Sequence, residues 1–309
     1  MAAPSRPENW APPNYVNPET RGEPALFIAT CATTAVVVAL RMYSRLQLAK
    51  SVGIDDVLLL AGFVLSIGQT FSEYKALTSG GWNMHLWDIP IDRLEYVRLS
   101  AWLIELFFLL GNACTKISIL LVYRKISGRS HSTWFIRLTW AAIALTLAYT
   151  SGLGLELVFV CRPLVSYWKS YSTDYNRKYT CGNEQIPIVF SAAASVFSDI
   201  YASLLPMLLV RNLNMTSRQR LGLYVLFSAG LLTAGIGVAR LIFLVKVTTN
   251  YQLGPTTHDV TWNGWPTFAL TDIEAHLAII CASLSALKAL FQRRMTSKIS
   301  KTQSSVHSN

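Results

Sequence analysis

The sequence predicts an all-α fold, a polytopic membrane protein built as a seven-transmembrane-helix bundle with its N-terminus outside and its C-terminus cytoplasmic. Composition is the first reason. Of 309 residues, 52% are hydrophobic and 14% are charged, where a soluble domain carries about 25% charge. The second reason is a series of apolar runs at near-regular spacing, each long enough to cross the hydrocarbon core as a helix. The third, which sets the orientation, is the placement of Lys and Arg in the short connections.

Residues 1–23 are polar and hold Pro4, Pro7, Pro12, Pro13 and Pro18. They read as a disordered N-terminal arm. No basic segment followed by an apolar one opens the chain, so no cleaved signal peptide is expected. Residues 24–292 form the transmembrane domain. Helix 1 is expected over Pro24–Tyr43, with Pro24 suited to a first turn, and helix 2 over Asp56–Leu77. Helices 3 and 4 are expected over Tyr96–Tyr123 and Trp134–Val160, and helices 5, 6 and 7 over Ile186–Val210, Leu221–Val247 and Pro266–Phe291. Residues 293–309 remain as a short basic cytoplasmic tail. Helices 3 and 7 are the least purely hydrophobic, and six spans is the alternative if helix 7 fails to insert. In helix 5, Ser191, Ser195 and Ser198 recur at helical spacing beside Asp199, opposite an apolar face with Val189, Val196 and Ile200. A small, polar face belongs against other helices, so the bundle is expected to wrap around helix 5. Pro206 is expected to bend it.

The 1–2 connection carries Arg41, Arg45 and Lys50, the 3–4 connection Arg124, Lys125 and Arg129, and the 5–6 connection Arg211, Arg218 and Arg220. The tail adds Arg293, Arg294, Lys298 and Lys301, while residues 248–265 contain neither Lys nor Arg. Basic connections lie on the cytoplasmic side. The formal charge of +10 is thereby assigned to helix ends facing the cytosol, and nucleic acid is not an expected partner. The longer 4–5 connection dissents, with Arg162, Lys169, Arg177 and Lys178. Cys161 and Cys181 bracket it. On an oxidising side they are expected to form a disulfide, the alternative being two free thiols at the interface. Asn214-Met215-Thr216 is a formal glycosylation sequon in an inner connection, where no glycan is expected. Trp82, Trp87, Trp262 and Trp265 fall at outer helix ends and Trp134 at an inner one, as in an aromatic belt. A ligand cage is the alternative.

The ordered motifs R-M-Y-S-R (41–45), G-I-D-D (53–56), K-I-S-I-L-L-V-Y-R-K-I (116–126), C-R-P-L-V-S-Y-W (161–168), C-G-N (181–183), S-D-I-Y-A-S-L-L-P (198–206), G-V-A-R (237–240) and D-I-E-A-H-L-A-I-I-C-A-S-L (272–284) resemble the fungal rhodopsin-like integral membrane proteins, the SAT4 family, related to the Pth11-type receptors. The resemblance runs over about residues 24–292. It implies seven helices in a fungal membrane, plasma membrane or endomembrane, and little chemistry. Pth11-type receptors often carry a Cys-rich extracellular module before helix 1, and this chain has no Cys before Cys31. Retinal proteins need a lysine near the middle of helix 7 for a Schiff base. Here the only one, Lys288, sits near the cytoplasmic end, so no retinal or other cofactor is expected.

Charges inside the spans are costly and mark either packing partners or function. Depth, counted at about 1.5 Å per residue, puts Glu73, Glu105, Glu156, Arg240, Asp272, Glu274 and His276 in the outer half and Asp199 near the middle. Lys116 lies towards the inner side, within snorkelling reach. Asp272 and His276 share a helix face, and Arg240 is expected to pair with Glu274 or Asp272. Lys116, Arg240 and Glu274 read as structural, and Asp55 and Asp56 as caps at the start of helix 2. Glu105, Asp199, Arg240, Glu274 and His276 are expected to converge on one outward-facing cleft with Asp199 at its floor.

Three function classes fit. One is a receptor with a small apolar ligand in that cleft and a cytosolic partner at the basic inner loops. Another is an accessory membrane component of a secondary-metabolite pathway. The alternative is a membrane enzyme, such as a cyclase of a prenylated substrate, with Asp199 or Glu105 as a catalytic acid kept protonated by apolar burial. The sequence shows no metal-ligand spacing and no phosphate-binding glycine pattern.

Overall fold

A computed structural model of the chain describes residues 13–49, 52–127, 133–172, 175–212, 217–252 and 259–306. Among them, seven helices are long and apolar enough to cross a membrane: Ala25–Gln47, Ile54–Gly80, Ile91–Lys125, Thr133–Phe159, Gln185–Met207, Tyr224–Thr249 and Val260–Leu284. They are called spans 1 to 7. Each matches one predicted apolar run, and several helices continue past the apolar window, as in Ser217–Gln252 and Val260–Val306. Residues 13–23, the 2–3 connection, the described residues of the 4–5 connection and the start of span 7 share one end of the bundle, the N-terminal face. The end of span 1, the start of span 2 and the end of span 3 share the other.

Spans adjacent in sequence pack together, span 7 closes onto span 1, and spans 3 and 7 meet across the middle. The apolar windows of spans 3 and 7 are 61% buried, against 50% for span 5 and 22% for spans 1 and 4. The expected centre was span 5, and that expectation is corrected. Spans 3 and 7 carry charges and polar groups on more than one face, so neither can give a face to lipid cheaply. Span 5 keeps such a face, with Phe190, Phe197, Ile200 and Leu204 exposed. Spans 2 and 3 approach closely at Gly62, where a Cβ would stand 3.2 Å from the Gly111 carbonyl oxygen. Such small contacts let membrane helices gain packing without a hydrophobic drive. Below them, Val38, Leu59, Ile279 and Ala282 close spans 1, 2 and 7. Leu120, Phe135, Ile143, Leu205 and Leu226 close spans 3 to 6.

The N-terminal face is capped by its own chain. Asn14 N–H donates to Asp88 Oδ1 (2.8 Å), Arg21 N–H donates to Asn83 O (2.8 Å), and Thr20 bridges Met84. Residues 1–12 lie outside the described residues, and residues 13–23 of the expected arm therefore lie against the 2–3 connection. Their backbone donors find fixed acceptors there. The tryptophans of this face also differ from a lipid-facing belt. Trp82 is buried and donates from Nε1 to Val97 O (2.9 Å). Trp87 and Trp262 stack on either side of His85, at ring separations of 4.6 and 4.1 Å. His85 in turn bonds Asp259, which accepts the Leu86 and Trp262 N–H groups and so ties the 2–3 connection to the start of span 7.

Cys161 and Cys181 form a disulfide that pairs the two-residue strands Cys161–Arg162 and Thr180–Cys181. The enclosed loop carries the short helix Ser166–Lys169. Arg98 of span 3 holds this loop, donating to Glu184 Oε2 at 2.6 Å and lying over the Tyr167 and Tyr171 rings. Burial pushes the Tyr167 phenol above its ordinary range. Several sequence expectations fall elsewhere: Asn214, the side chain of Lys288, and the side chains of the 293–309 tail lie outside the described residues.

Candidate functional site

Helical periodicity puts Ser191, Ser195, Ser198 and Asp199 on the inward side of span 5. Span 3 answers with Asn112 and Lys116. Lys116 Nζ lies 3.0 Å from Asp199 Oδ1, donates to Ser195 O at 3.1 Å, and bonds Ser198 Oγ. The two charged side chains are 3% and 8% exposed. Lys116 does not snorkel to the inner interface as its depth suggested. A full counter-charge across the helix gap outweighs a long reach to water, and its flexible stem can turn either way.

Ser195 is the hub. Its Oγ donates to Glu274 Oε1 (2.8 Å) and accepts from Asn112 Nδ2 (2.9 Å) and Lys116 Nζ (3.3 Å). One donor and two acceptor positions are then all used. Glu274 Oε2 stands 2.9 Å from Arg240 Nε of span 6. That contact is an ion pair whose N–H does not point along it, because Arg240 Nε and Nη2 and Glu274 Oε2 make no hydrogen bond. The Arg240 guanidinium also lies over the Phe108 ring, 4.3 Å from its centre. Gly237, one turn before Arg240, lets Val196 of span 5 pack close: a Cβ there would stand 3.1 Å from Val196 Cγ2. Lys116, Asp199, Arg240 and Glu274 thus form a buried, charge-neutral quartet drawn from spans 3, 5, 6 and 7. The expected Arg240–Glu274 pair is present. Asp199, expected as a candidate acid at the cleft floor, is paired with Lys116, although its Oδ2 makes no hydrogen bond.

The remaining candidates lie apart from this quartet. Asp272 and His276 are 3.3 Å apart on span 7 and face spans 1 and 2. Thr30 and Thr70 donate to Asp272 (2.5 and 2.9 Å), and His276 Nδ1 meets Thr34 Oγ1 (3.0 Å). Glu105 is half-buried and accepts from Ser191 Oγ (2.7 Å). The single cleft expected for Glu105, Asp199, Arg240, Glu274 and His276 is therefore corrected to separate clusters, because residues two apart on a helix face opposite ways. Concavities of about 480 and 450 Å³ open elsewhere, one beside Glu19, His85, Trp87 and Asp88, the other beside Glu156, Phe159 and Arg162.

Near the opposite face, Asp55 and Asp56 do more than cap. Asp56 accepts the Gly53 N–H (3.1 Å) as a first-turn acid does, but also takes Arg41 Nε and Nη2 at 3.0 and 2.8 Å. Arg41 Nη1 donates onward to Ala282 O of span 7 (2.7 Å). Asp55 holds Arg45 at 3.2 Å and Lys125 of span 3. Arg41, Asp55 and Asp56 are fully buried. The R-M-Y-S-R and G-I-D-D motifs marked these residues without showing that they meet. Among the described residues, no group of three His, Cys, Asp or Glu side chains could hold a metal ion.

The fungal rhodopsin domain matches residues 40–293. "Receptor GIN3" of Arthrobotrys oligospora is 26% identical over 270 residues, 86% of this chain and 61% of that protein. A "SAT4 family membrane protein" of Emericella nidulans is 30% identical over 182 residues, 58% of this chain and 42% of that protein. "Wortmanamides biosynthesis cluster protein C" of Talaromyces wortmannii is 23% identical over 251 residues, 81% of this chain and 64% of that protein. The chain thus spans roughly two-fifths to two-thirds of the length of these relatives. No solved structure matches it. The matched residues take in spans 2 to 7 and the last residues of span 1, with the quartet and the Arg41–Asp56 cluster, and the chain is a multi-pass integral membrane protein that belongs to the fungal rhodopsin domain family.

Proposed function

We propose that the protein is a receptor-like sensor, with the N-terminus outside, the capped N-terminal face as the ligand-facing side and the basic connections as the contact for a cytosolic partner. The observation that supports this most is the quartet of Lys116, Asp199, Arg240 and Glu274. Buried ion pairs are often no more stable than apolar residues of similar size, and their best-attested use is to fix one arrangement against another. Four such groups from spans 3, 5, 6 and 7 make a joint with discrete pairings, the kind of element a ligand can bias. The relative named as a receptor supports the same reading.

The enzyme alternative loses ground on the same geometry. Acid-initiated chemistry needs a carboxylic acid kept neutral by apolar surroundings. Asp199 lies against a lysine instead, and Glu105 against a serine hydroxyl. A pathway-accessory role keeps one specific support, the relative named for a biosynthesis cluster. Metabolite profiling and cue-response assays on a deletion strain separate the three. A sensor predicts loss of a response to an external cue with the product profile unchanged in the absence of that cue. Loss of one product with its precursor accumulating would support the enzyme. Lower output of a pathway without an accumulating precursor, and with the cue response intact, would support the accessory role.

A further inference from the structure

The concavity of about 450 Å³ sits where span 4 reaches the N-terminal face, and it joins groups of opposite charge on apolar walls. Glu156, Phe159, Val160, Arg162, Thr180 and Gly182 line it. Glu156 lies one turn before the end of span 4. Its neighbours set its position on the helix. Leu157 is buried, and its carbonyl accepts from Trp102 Nε1 of span 3 (3.0 Å). Leu155, Val158 and Phe159 are exposed on the side that meets lipid. Glu156 falls between these two faces and is half-buried. Gly152, one turn deeper in the span, is exposed, and a Cβ there would meet nothing within 4 Å. The surface beside the acid is therefore open, with room for a chain running along span 4.

The wall beyond the helix end is fixed by the disulfide-bonded strand pair. Arg162 stands opposite Thr180, and Cys161 stands opposite Cys181. Successive side chains of a strand point to opposite faces, and directly opposed residues share one. Arg162 and Thr180 therefore share a face, turned away from the disulfide. Gly182 N–H donates to Val160 O (2.7 Å) and closes the pair onto the end of span 4. Arg162 and Thr180 are exposed. Among the described residues, the side chains of Glu156, Arg162 and Thr180 make no hydrogen bond or ion pair. A charged acid within a span is costly unless something pairs with it. Glu156 and Arg162 line one concavity without meeting, so each keeps its charge for a third group.

We propose that this concavity binds the headgroup of a zwitterionic phospholipid, phosphatidylethanolamine, with Arg162 and Thr180 on the phosphate and Glu156 on the ammonium. A guanidinium presents a planar fork of donors that matches two phosphate oxygens, and the Thr180 hydroxyl adds another donor. The ammonium donates N–H to the Glu156 carboxylate and supplies the counter-charge it lacks. Phe159 and Val160 form the apolar wall for the glycerol and the first methylenes, and an acyl chain runs past Gly152. Opposite charges at the two ends of the site select among lipids. A purely anionic headgroup leaves Glu156 unpaired and brings a like charge towards it. A choline headgroup is cationic but has no N–H to donate. The site opens to lipid and shares no residue with the quartet, so it stands or falls independently of the sensor role. A rim filled with water alone is the competing reading.

Native mass spectrometry of the full chain in detergent, titrated with phosphatidylethanolamine, phosphatidylcholine and phosphatidylglycerol of matched acyl chains, tests this. The first phosphatidylethanolamine should bind about tenfold more tightly than either other lipid, the size of one charge-assisted hydrogen bond. Glu156→Gln should bring it to the phosphatidylcholine level, and Arg162→Gln should weaken both. Equal binding of the three lipids would overturn the proposal and leave the rim to water. A preference for phosphatidylglycerol would overturn it too, by reducing the site to a basic patch, as would a selectivity that survives Glu156→Gln. Phosphoethanolamine without acyl chains should not displace the lipid, and displacement at matched concentration would overturn the lipid in favour of a soluble ligand. If Glu156→Gln does not accumulate, the exposed Arg162→Gln carries the test, and unchanged binding of phosphatidylethanolamine would sink the site.

Discussion

Asp272 and Glu274 are two residues apart on span 7 and belong to different networks. Asp272 faces spans 1 and 2 through Thr30 and Thr70, while Glu274 faces spans 5 and 6 through Ser195 and Arg240. Two residues turn a helix by about 200°, so one span serves both sides of the bundle. This is the physical reason span 7 is buried and central: with an acid on each side, it has no face to give to lipid.

Lys116 and Asp199 should depend on each other. Asp199→Asn leaves Lys116 charged and buried, and Lys116→Met leaves Asp199 so. Each is expected to cost about 3–5 kcal/mol, and the Lys116→Met, Asp199→Leu double variant should recover most of it. Melting curves of the four proteins in detergent give the coupling directly. A wild-type melting temperature for Asp199→Asn would show that the pair contributes little.

Arg240→Ala should lower folded protein in the membrane by a similar margin, because Glu274 loses the cation that pairs with it among the described residues while staying 2% exposed. Adding Glu274→Gln should restore part of the loss, and fluorescence-detected size-exclusion profiles would report it. Equal profiles for Arg240→Ala and the double variant would argue that Arg240 acts through its Phe108 contact instead.

Cys161→Ser and Cys181→Ser should each destabilise the 4–5 loop by about 3 kcal/mol in the chain-entropy view, for a sequence separation of 20. The double variant should add little to either. Limited proteolysis, read by cleavage within the loop, is the simplest check, and additive losses would show that the two thiols act separately.

Orientation follows from the basic 1–2, 3–4 and 5–6 connections. An introduced Thr257→Cys in the Lys- and Arg-free 6–7 connection should react with an impermeant maleimide on intact cells. Reaction only after permeabilisation would invert the topology.

The spans were legible because apolar length is a strong signal and lipid tolerates few other structures. The Cys161–Cys181 bridge and the Arg240–Glu274 pair were legible for related reasons: each joins groups at matching depth on neighbouring helices. Lys116 was misread because depth along one span gives the distance to water but not which neighbour stands opposite. The same gap hid the meeting of Arg41 with Asp56, since both lie at helix ends, where caps and solvated charges are the ordinary reading. The impurity of an apolar run is itself a signal of position in the bundle. Spans 3 and 7 were seen to be the least hydrophobic, and a helix that cannot face lipid belongs in the centre.

The sensor role rests on the quartet acting as a joint rather than as packing alone. Complementation of a deletion strain with the Lys116→Met, Asp199→Leu double variant tests this most directly, once the folded amount has been matched to wild type. We expect normal accumulation in the membrane without recovery of the lost response to the external cue. Full recovery of that response by the double variant would contradict the assignment and reduce the pair to a structural one.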